Sequence, residues 1–468
     1  MIKKFFSLLA TTVLISGCTL IPKYTRPEAP IPDAWPSGAA YKENVTTSEG
    51  KLLEDIKWQD FFIDERLKEV IGMALKNNRD LRVAGLNIEK ARALYRIQRA
   101  ELFPSVDAVG KGYKERMPAD ISGTSHPMTV EEYRVNLGIS SWEVDFFGRI
   151  RSLKKKALEE YLATEQARRS AQISLVTEVA GAYLTLTADR ESLKLTEATL
   201  DAQQASYDLI RRRYEVGLVS ELDLRQAQTR VDAAKVDKAL YIRLAAQDEN
   251  ALNLLVGSSV RAELLPGDLE TVQPTRDFSP GISSEVLLKR PDILQAENLL
   301  KAANANIGAA RAALFPRISL TAAAGTASND LSGLFKAGSG AWSYAPQIIM
   351  PIFDSRLWWA VKAVKADREI VLTQYEKAIQ TAFREVADSL AVSGTVDEQL
   401  LAQQSLVDAS AETYRLANAR YLKGIDSYLS VLDAQRSLYV AQLRLIVIRL
   451  TRISNQVKLY AVLGGGSE

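Results

Sequence analysis

The chain has 468 residues, 59 of them basic and 57 acidic, and a net charge of +2. So even a balance, with no concentrated basic face, argues against a nucleic-acid partner. One cysteine excludes an intrachain disulfide and a cysteine metal cluster; one histidine, His126 between Ser125 and Pro127, makes a multi-histidine metal site or a Ser-His-Asp triad hard to build. No Gly-x-Ser-x-Gly elbow occurs and no spacing of Asp and Glu asks for carboxylate catalysis, so no enzyme and no cofactor is expected.

In chain order, residues 1–17 form a signal peptide: Lys3 and Lys4, then an apolar stretch from Phe5 to Ile15, far shorter than the roughly 20 residues of a spanning helix. Ile15-Ser16-Gly17-Cys18 resembles a bacterial lipobox, in which the cysteine is acylated after cleavage just before it. A covalent lipid on Cys18 is therefore expected. Thr19, in place of an aspartate, favours outer-membrane sorting by analogy. A single acyl chain is a weak anchor, so firm membrane residence needs more. No later segment has an apolar run of transmembrane length; any crossing must be a closed β-barrel.

Residues 18–60 read as a lipidated N-terminal extension. After it the chain repeats itself. Arg213, Tyr214, Gly217, Ser220 and Leu222 recur at one constant offset as Arg420, Tyr421, Gly424, Ser427 and Leu429. The same offset carries Ala227-Gln228 onto Ala434-Gln435. Upstream, Asp80, Ala84, Ala91, Ala100 and Leu102-Phe103-Pro104 match Asp292, Ala296, Ala303, Ala312 and Leu314-Phe315-Pro316 at a slightly larger offset. The chain is thus read as repeat 1, residues 61–265, a linker over 266–284, and repeat 2, residues 285–464.

Each repeat opens with a helix stopped by Pro104 or Pro316. Two strands follow, within 105–147 and 317–353; Tyr133 to Ile139 alternates strictly. Segments 116–130 and 327–341 are rich in Gly, Ser, Pro and Asn and read as loops. A proline-free helix then spans roughly 150–213, on the order of 95 Å. Its length suits a coiled-coil-like assembly, with a local seam at Ile173, Val176, Ala180 and Tyr183; the same 3, 4, 3 spacing occurs in the second repeat at Leu438, Ala441, Leu445 and Ile448. Gly217 and Gly424 supply left-handed turns, and Ser220 and Ser427 N-cap the returning helices, so each repeat holds a helical hairpin.

Four strands cannot close a spanning barrel, which needs about eight. They are either pooled between chains or packed as a soluble sandwich. The flanking aromatics, among them Tyr113, Tyr133, Trp142, Phe146, Trp342 and Tyr344, fit a membrane girdle and also a soluble core.

These features resemble the outer-membrane factors, the TolC-like family, and in particular its lipidated OprM-like branch. The stretches that carry the likeness are Cys18 to Pro36, Asn77-Asn78-Arg79-Asp80-Leu81, Ala100 to Pro104, Trp142 to Arg149, residues 161–166, Arg290-Pro291-Asp292, residues 375–380 and both hairpin tips. The resemblance implies a mixed α/β membrane protein. Three chains, each giving four strands, would build a twelve-stranded outer-membrane barrel continuous with a long periplasmic α-helical barrel, the 266–284 linker lying in an equatorial belt. It further implies a passive exit duct for drugs and other toxic compounds in a tripartite system, with a periplasmic adaptor protein and an inner-membrane RND pump as partners. In that family the periplasmic end is closed by residues just after the second tip, here Leu429 and Asp433. Their i,i+4 spacing puts them on one helical face, and a threefold axis would gather three carboxylates, which invites a bound cation or protonation. The tips, Arg213, Gly217, Ser220, Arg420, Gly424 and Ser427, are expected to meet the adaptor. The alternative is a lipid-anchored periplasmic coiled-coil scaffold without a pore. In that reading Asp433 is a solvated residue paired with Arg436.

Overall fold

The computed structural model describes residues 19–41, 57–123, 125–269, 272 and 283–465; Cys18 and the signal peptide lie outside them, as do parts of the 266–284 linker. Helices α1 (Trp58–Phe61), α2 (Glu65–Asn77) and α3 (Arg79–Ala100) lead into strands β1 (Asp107–Met117) and β2 (Met128–Val144). Helices α4 (Arg149–Glu215) and α5 (Glu221–Val256) follow. The order then recurs: α6 (Pro291–Ala312), β3 (Arg317–Ser328), β4 (Gly340–Ile349), α7 (Ser355–Leu422) and α8 (Tyr428–Val462). Asp64 starts α2 by accepting hydrogen bonds from the Arg66 and Leu67 amides. Helix α4 runs 67 residues, about 100 Å of helix. No described helix is long and apolar enough to cross a membrane.

The four strands form one antiparallel sheet in the order β1-β2-β3-β4. The ladders run further than loop-like composition implies. Met117 pairs with Met128, so the expected 116–130 loop shrinks to 118–127, with Lys114 and Glu131 ion-paired across the ladder. At the other end β4 stops at Ile349, short of the expected Phe353, because Pro351 cannot donate to a ladder.

Directly opposed residues of antiparallel strands share a face. One face therefore carries Leu137 and Val135 beside Ala108, Gly110 and Ala324, with Trp342, Tyr344 and Ile348 on β4. These apolar residues are exposed, Trp342 to 81%. The other face carries Lys111 opposite Arg134, Tyr113 opposite Glu132, Glu143 opposite Ser319, and Ser319 in turn opposite Gln347. A bulge between Ile139 and Trp142 preserves this division. The extra residue there lets Ile139, Trp142 and Val144 all stay on the apolar side, where strict alternation would have turned Trp142 to the polar one. Ser141 takes a left-handed φ of 52°, and its amide donates to Thr321 Oγ1 at 3.2 Å.

The chain divides into two compact units, each drawn from both halves of the sequence. The first comprises Met1–Glu28, Asn87–Glu165 and Gln295–Tyr375 and holds the sheet. In it the N-terminal segment runs antiparallel to α6. Arg311 Nη1 donates to the Leu20 carbonyl at 3.4 Å, Asn304 Nδ2 to Pro22 at 2.8 Å, and Tyr24 Oη to Glu297 at 3.3 Å, while Arg26 ion-pairs with Glu297. Burial pushes the Glu297 carboxyl up, but hydrogen bonds from Arg26 and Lys301 outweigh it and hold it below the usual range.

The second unit comprises Ala29–Leu86, Gln166–Leu294 and Glu376–Glu468. Phe61 stacks on Tyr460 at 4.0 Å, and the mostly buried Arg290 joins Asp292, Glu385 and the Val462 carbonyl. Gly257 ends α5 at φ 74°, where a Cβ would sit 2.7 Å from the Asn77 carbonyl. Both predicted seams are filled: Ile173, Val176, Ala180 and Tyr183 are buried, as are Ala441, Leu445 and Ile448, with Leu438 packed beside them.

Candidate functional site

The two hairpin tips lie in the second unit, and their turns are built alike. Helix α4 ends with Gly217 at φ 77°, its amide bonding the Tyr214 carbonyl at 2.9 Å and the Leu218 amide the Arg213 carbonyl at 2.8 Å. Helix α7 ends with Gly424 at φ 72°, with Gly424 to Tyr421 at 2.9 Å and Ile425 to Arg420 at 3.0 Å. Both are Schellman motifs, which need a left-handed residue after the helix.

The returning helices differ. Ser220 caps α5 through a full capping box: its side chain accepts from the Asp223 amide at 3.2 Å, and its amide donates to Asp223 Oδ2 at 3.1 Å. Ser427 occupies the same position before α8 but makes no side-chain cap bond. The residue three places on is Ser430, which cannot return the bond as an acid does. In its place Arg420 Nε donates to Asp426 at 2.5 Å across the turn. That bond holds the Asp426 carboxyl below the usual range.

The hairpins touch each other through a small buried cluster. Ile210 and Ala227 of the first pack on Tyr428, Val431 and Leu432 of the second. Arg213 Nη1 donates to Tyr421 Oη at 3.0 Å, with its guanidinium 5.4 Å from that ring. Tyr421 lies 5.2 Å from Tyr428, whose hydroxyl is pushed up to about 12 by burial. Arg213, expected as a partner-contact residue, is thus engaged within the chain. Tyr421 enters the sequence pattern only as the repeat of Tyr214, with no role attached, and Tyr428 does not enter it. Gly217, Ser220, Arg420, Gly424 and Ser427 are exposed, beside the exposed apolar Val216, Leu218, Leu422 and Ile425.

Leu429 and Asp433 share an outward stripe of α8 with Arg436 and Val440, at spacings of four, three and four, opposite the face packed on the first hairpin. Leu429 is 56% exposed, and Asp433 Oδ1 accepts from Arg436 Nη2 at 2.6 Å. No group of residues that could hold a metal ion occurs among the described residues.

A sequence model of the outer membrane efflux protein family matches residues 70–258 and 282–465. The chain is 50% identical over 468 residues to the toluene efflux pump outer membrane protein TtgC of Pseudomonas putida, covering 100% of this chain and 96% of that one. Its fold is similar to a crystal structure of a membrane protein from Pseudomonas aeruginosa, with TM-score 0.90, 40% identity and coverage of 96% and 98% of the two chains. It is also similar to the open state of the MtrE outer membrane channel of Neisseria gonorrhoeae, with TM-score 0.87, 36% identity and coverage of 96% and 99%. The chain belongs to the outer membrane efflux protein family, and it is an outer-membrane channel component of an efflux system.

Proposed function

We infer that three copies of this chain close one twelve-stranded barrel and that the channel is the passive exit duct of a tripartite system for drugs and solvents. The observation that carries this reading is the sheet: one exposed apolar face, one charged face, and two edge strands, β1 and β4, each paired on one side only within the chain. An apolar outer face and a polar lumen are what a membrane barrel requires, and pooling strands between copies removes the edges. A relative named for toluene efflux supports small apolar cargo.

In this reading Leu429 and Asp433 meet their symmetry mates and form the resting constriction, with Asp433 leaving Arg436 or sharing it. The exposed apolar residues of the two tips, framed by Arg420, Gly424, Ser427, Gly217 and Ser220, receive a periplasmic adaptor, which links the duct to an inner-membrane RND pump. Arg213 belongs to the same proposed contact surface and also bonds within the chain. Its bond to Tyr421, at the end of α7, holds the first hairpin to the second. Acylation of Cys18 anchors the chain to outer-membrane lipid.

Single-channel conductance in a planar bilayer tests the duct and the constriction together. Wild type should pass a small, cation-preferring current that grows clearly in the Leu429→Ala, Asp433→Ala double variant. A folded, inserted preparation with no current from either protein would leave only the anchored scaffold.

A further inference from the structure

A second feature lies at the foot of the sheet, in the first unit. At the end of β4 and below it the side chains change character in sequence: Ile348, Met350, Ile352 and Phe353 are exposed and apolar, then Trp358 and Trp359 are exposed on the first turn of α7, then Lys362 and Lys365 follow. Along the helix the tryptophans fall about 5 Å and the lysines about 10–15 Å past Ser355. That order matches the depth profile of one leaflet: acyl region, interfacial aromatics, then cations whose long stems reach back toward the phosphates.

Lys362 and Lys365 face a cleft of about 490 Å³ that Pro22, Lys23 and Asn304 also line. Asn304 pins the Pro22 carbonyl at 2.8 Å and so fixes Lys23 beside it. Lys362 Nζ sits 5.0 Å from the centre of the Trp359 ring. Of the charged groups at the cleft, Arg368 is paired with Glu369 at 2.5 Å. Lys23, Lys362 and Lys365 form no salt bridge among the described residues. Three uncompensated ammonium groups beside an aromatic step make a site for an anion with an apolar tail.

We propose that this cleft binds an anionic glycerophospholipid of the periplasmic leaflet, with its phosphate on Lys23, Lys362 and Lys365 and its chains against the apolar band of β4. The inference rests on the lipid-anchor reading in one respect: the segment bearing Lys23 begins beside the acylated end of the chain, which puts the cleft on the bilayer side of α6 and α7. A bound phospholipid would add a second attachment to an acyl chain that is weak alone.

The test is native mass spectrometry of the purified full-length protein titrated with phosphatidylglycerol or phosphatidylethanolamine, with inorganic phosphate as a third arm. Wild type should retain phosphatidylglycerol over phosphatidylethanolamine, and Lys23→Gln, Lys362→Gln, Lys365→Gln together should lower that retention about tenfold. The corresponding triple Lys→Arg variant should keep it. Equal retention by wild type and the Gln variant, equal binding of the two lipids, or displacement by inorganic phosphate alone would overturn the proposal. So would loss of the oligomer in the Gln variant, which would assign the lysines to a contact between copies. The intact mass of the same preparation reports acylation of Cys18 separately, so a failed anchor reading is not confused with a failed lipid site.

Discussion

The two hairpin tips share one turn and differ in how the helix after it begins. Gly217 and Gly424 have nearly the same φ and the same pair of carbonyl bonds. The first returning helix is then fixed by the Ser220–Asp223 box, whereas the second starts from Ser427 without a side-chain cap and relies on the exposed Arg420–Asp426 pair. A capping box satisfies two amides locally, while an exposed ion pair is screened and contributes little. The duplication has therefore kept the turn and relaxed the start of the helix that bears Leu429 and Asp433. That start is held by burial of Tyr428 and Val431 against the first hairpin, so a movement of Leu429 and Asp433 would involve both hairpins.

The largest effect should come from the packing that both tips share. Tyr428 is buried against Ile210 and Ala227, so Tyr428→Ala should cost the tip region about 3 kcal/mol, read as lost hydrogen-exchange protection in both hairpins. Loss confined to the second hairpin would mean that the cluster does not couple them. Next are the glycines. No atom lies within 4 Å of a Cβ built on either, so Gly217→Ala and Gly424→Ala should each cost only the left-handed backbone strain, about 1 kcal/mol, and equally. Unequal costs would break the equivalence of the turns. The caps sharpen the contrast. Ser220→Ala should cost about 1 kcal/mol at the start of α5, and Ser427→Ala close to nothing at α8, by the same exchange measurement. A matching loss at Ser427 would show the second cap to be formed in solution.

How much of this was legible depends on the range of the interaction. The Schellman turns were readable because Gly217 and Gly424 sit between helical runs and the motif is local. Ser220 and Ser427 looked alike at that range, and the difference lay three residues on, in Asp223 against Ser430. Strand β2 was expected within 105–147, but its alternation was readable only from Tyr133 to Ile139. Its phase then shifts at a bulge whose partner, Thr321, is far away in sequence. For the same reason the clamp of residues 20–26 on α6 left no pattern to find, since Asn304 and Glu297 look like ordinary polar positions of a helix. Leu429 and Asp433 were selected by likeness alone; spacing put them on one face, and the structure adds that this face is unpacked within the chain.

The smallest expected effect separates the tips by pH. Asp426 has its carboxyl pKa lowered by the hydrogen bond from Arg420, so the pair contributes stability above the unfolded carboxylate pKa, about 3.9. That contribution is lost as pH falls through the lower folded value. Between pH 6 and pH 3 the amides of residues 424–430, corrected for intrinsic exchange rates, should therefore lose a little protection in wild type. In Asp426→Asn they should have lost it already at pH 6 and change no further. High salt at pH 6 should mimic part of the loss, because the pair is exposed and screening weakens it. If the variant and wild type lost protection in parallel as the pH fell, the second turn would be held by something other than Arg420 and Asp426. The contrast between a capped and an ion-paired tip would then fail at its second half.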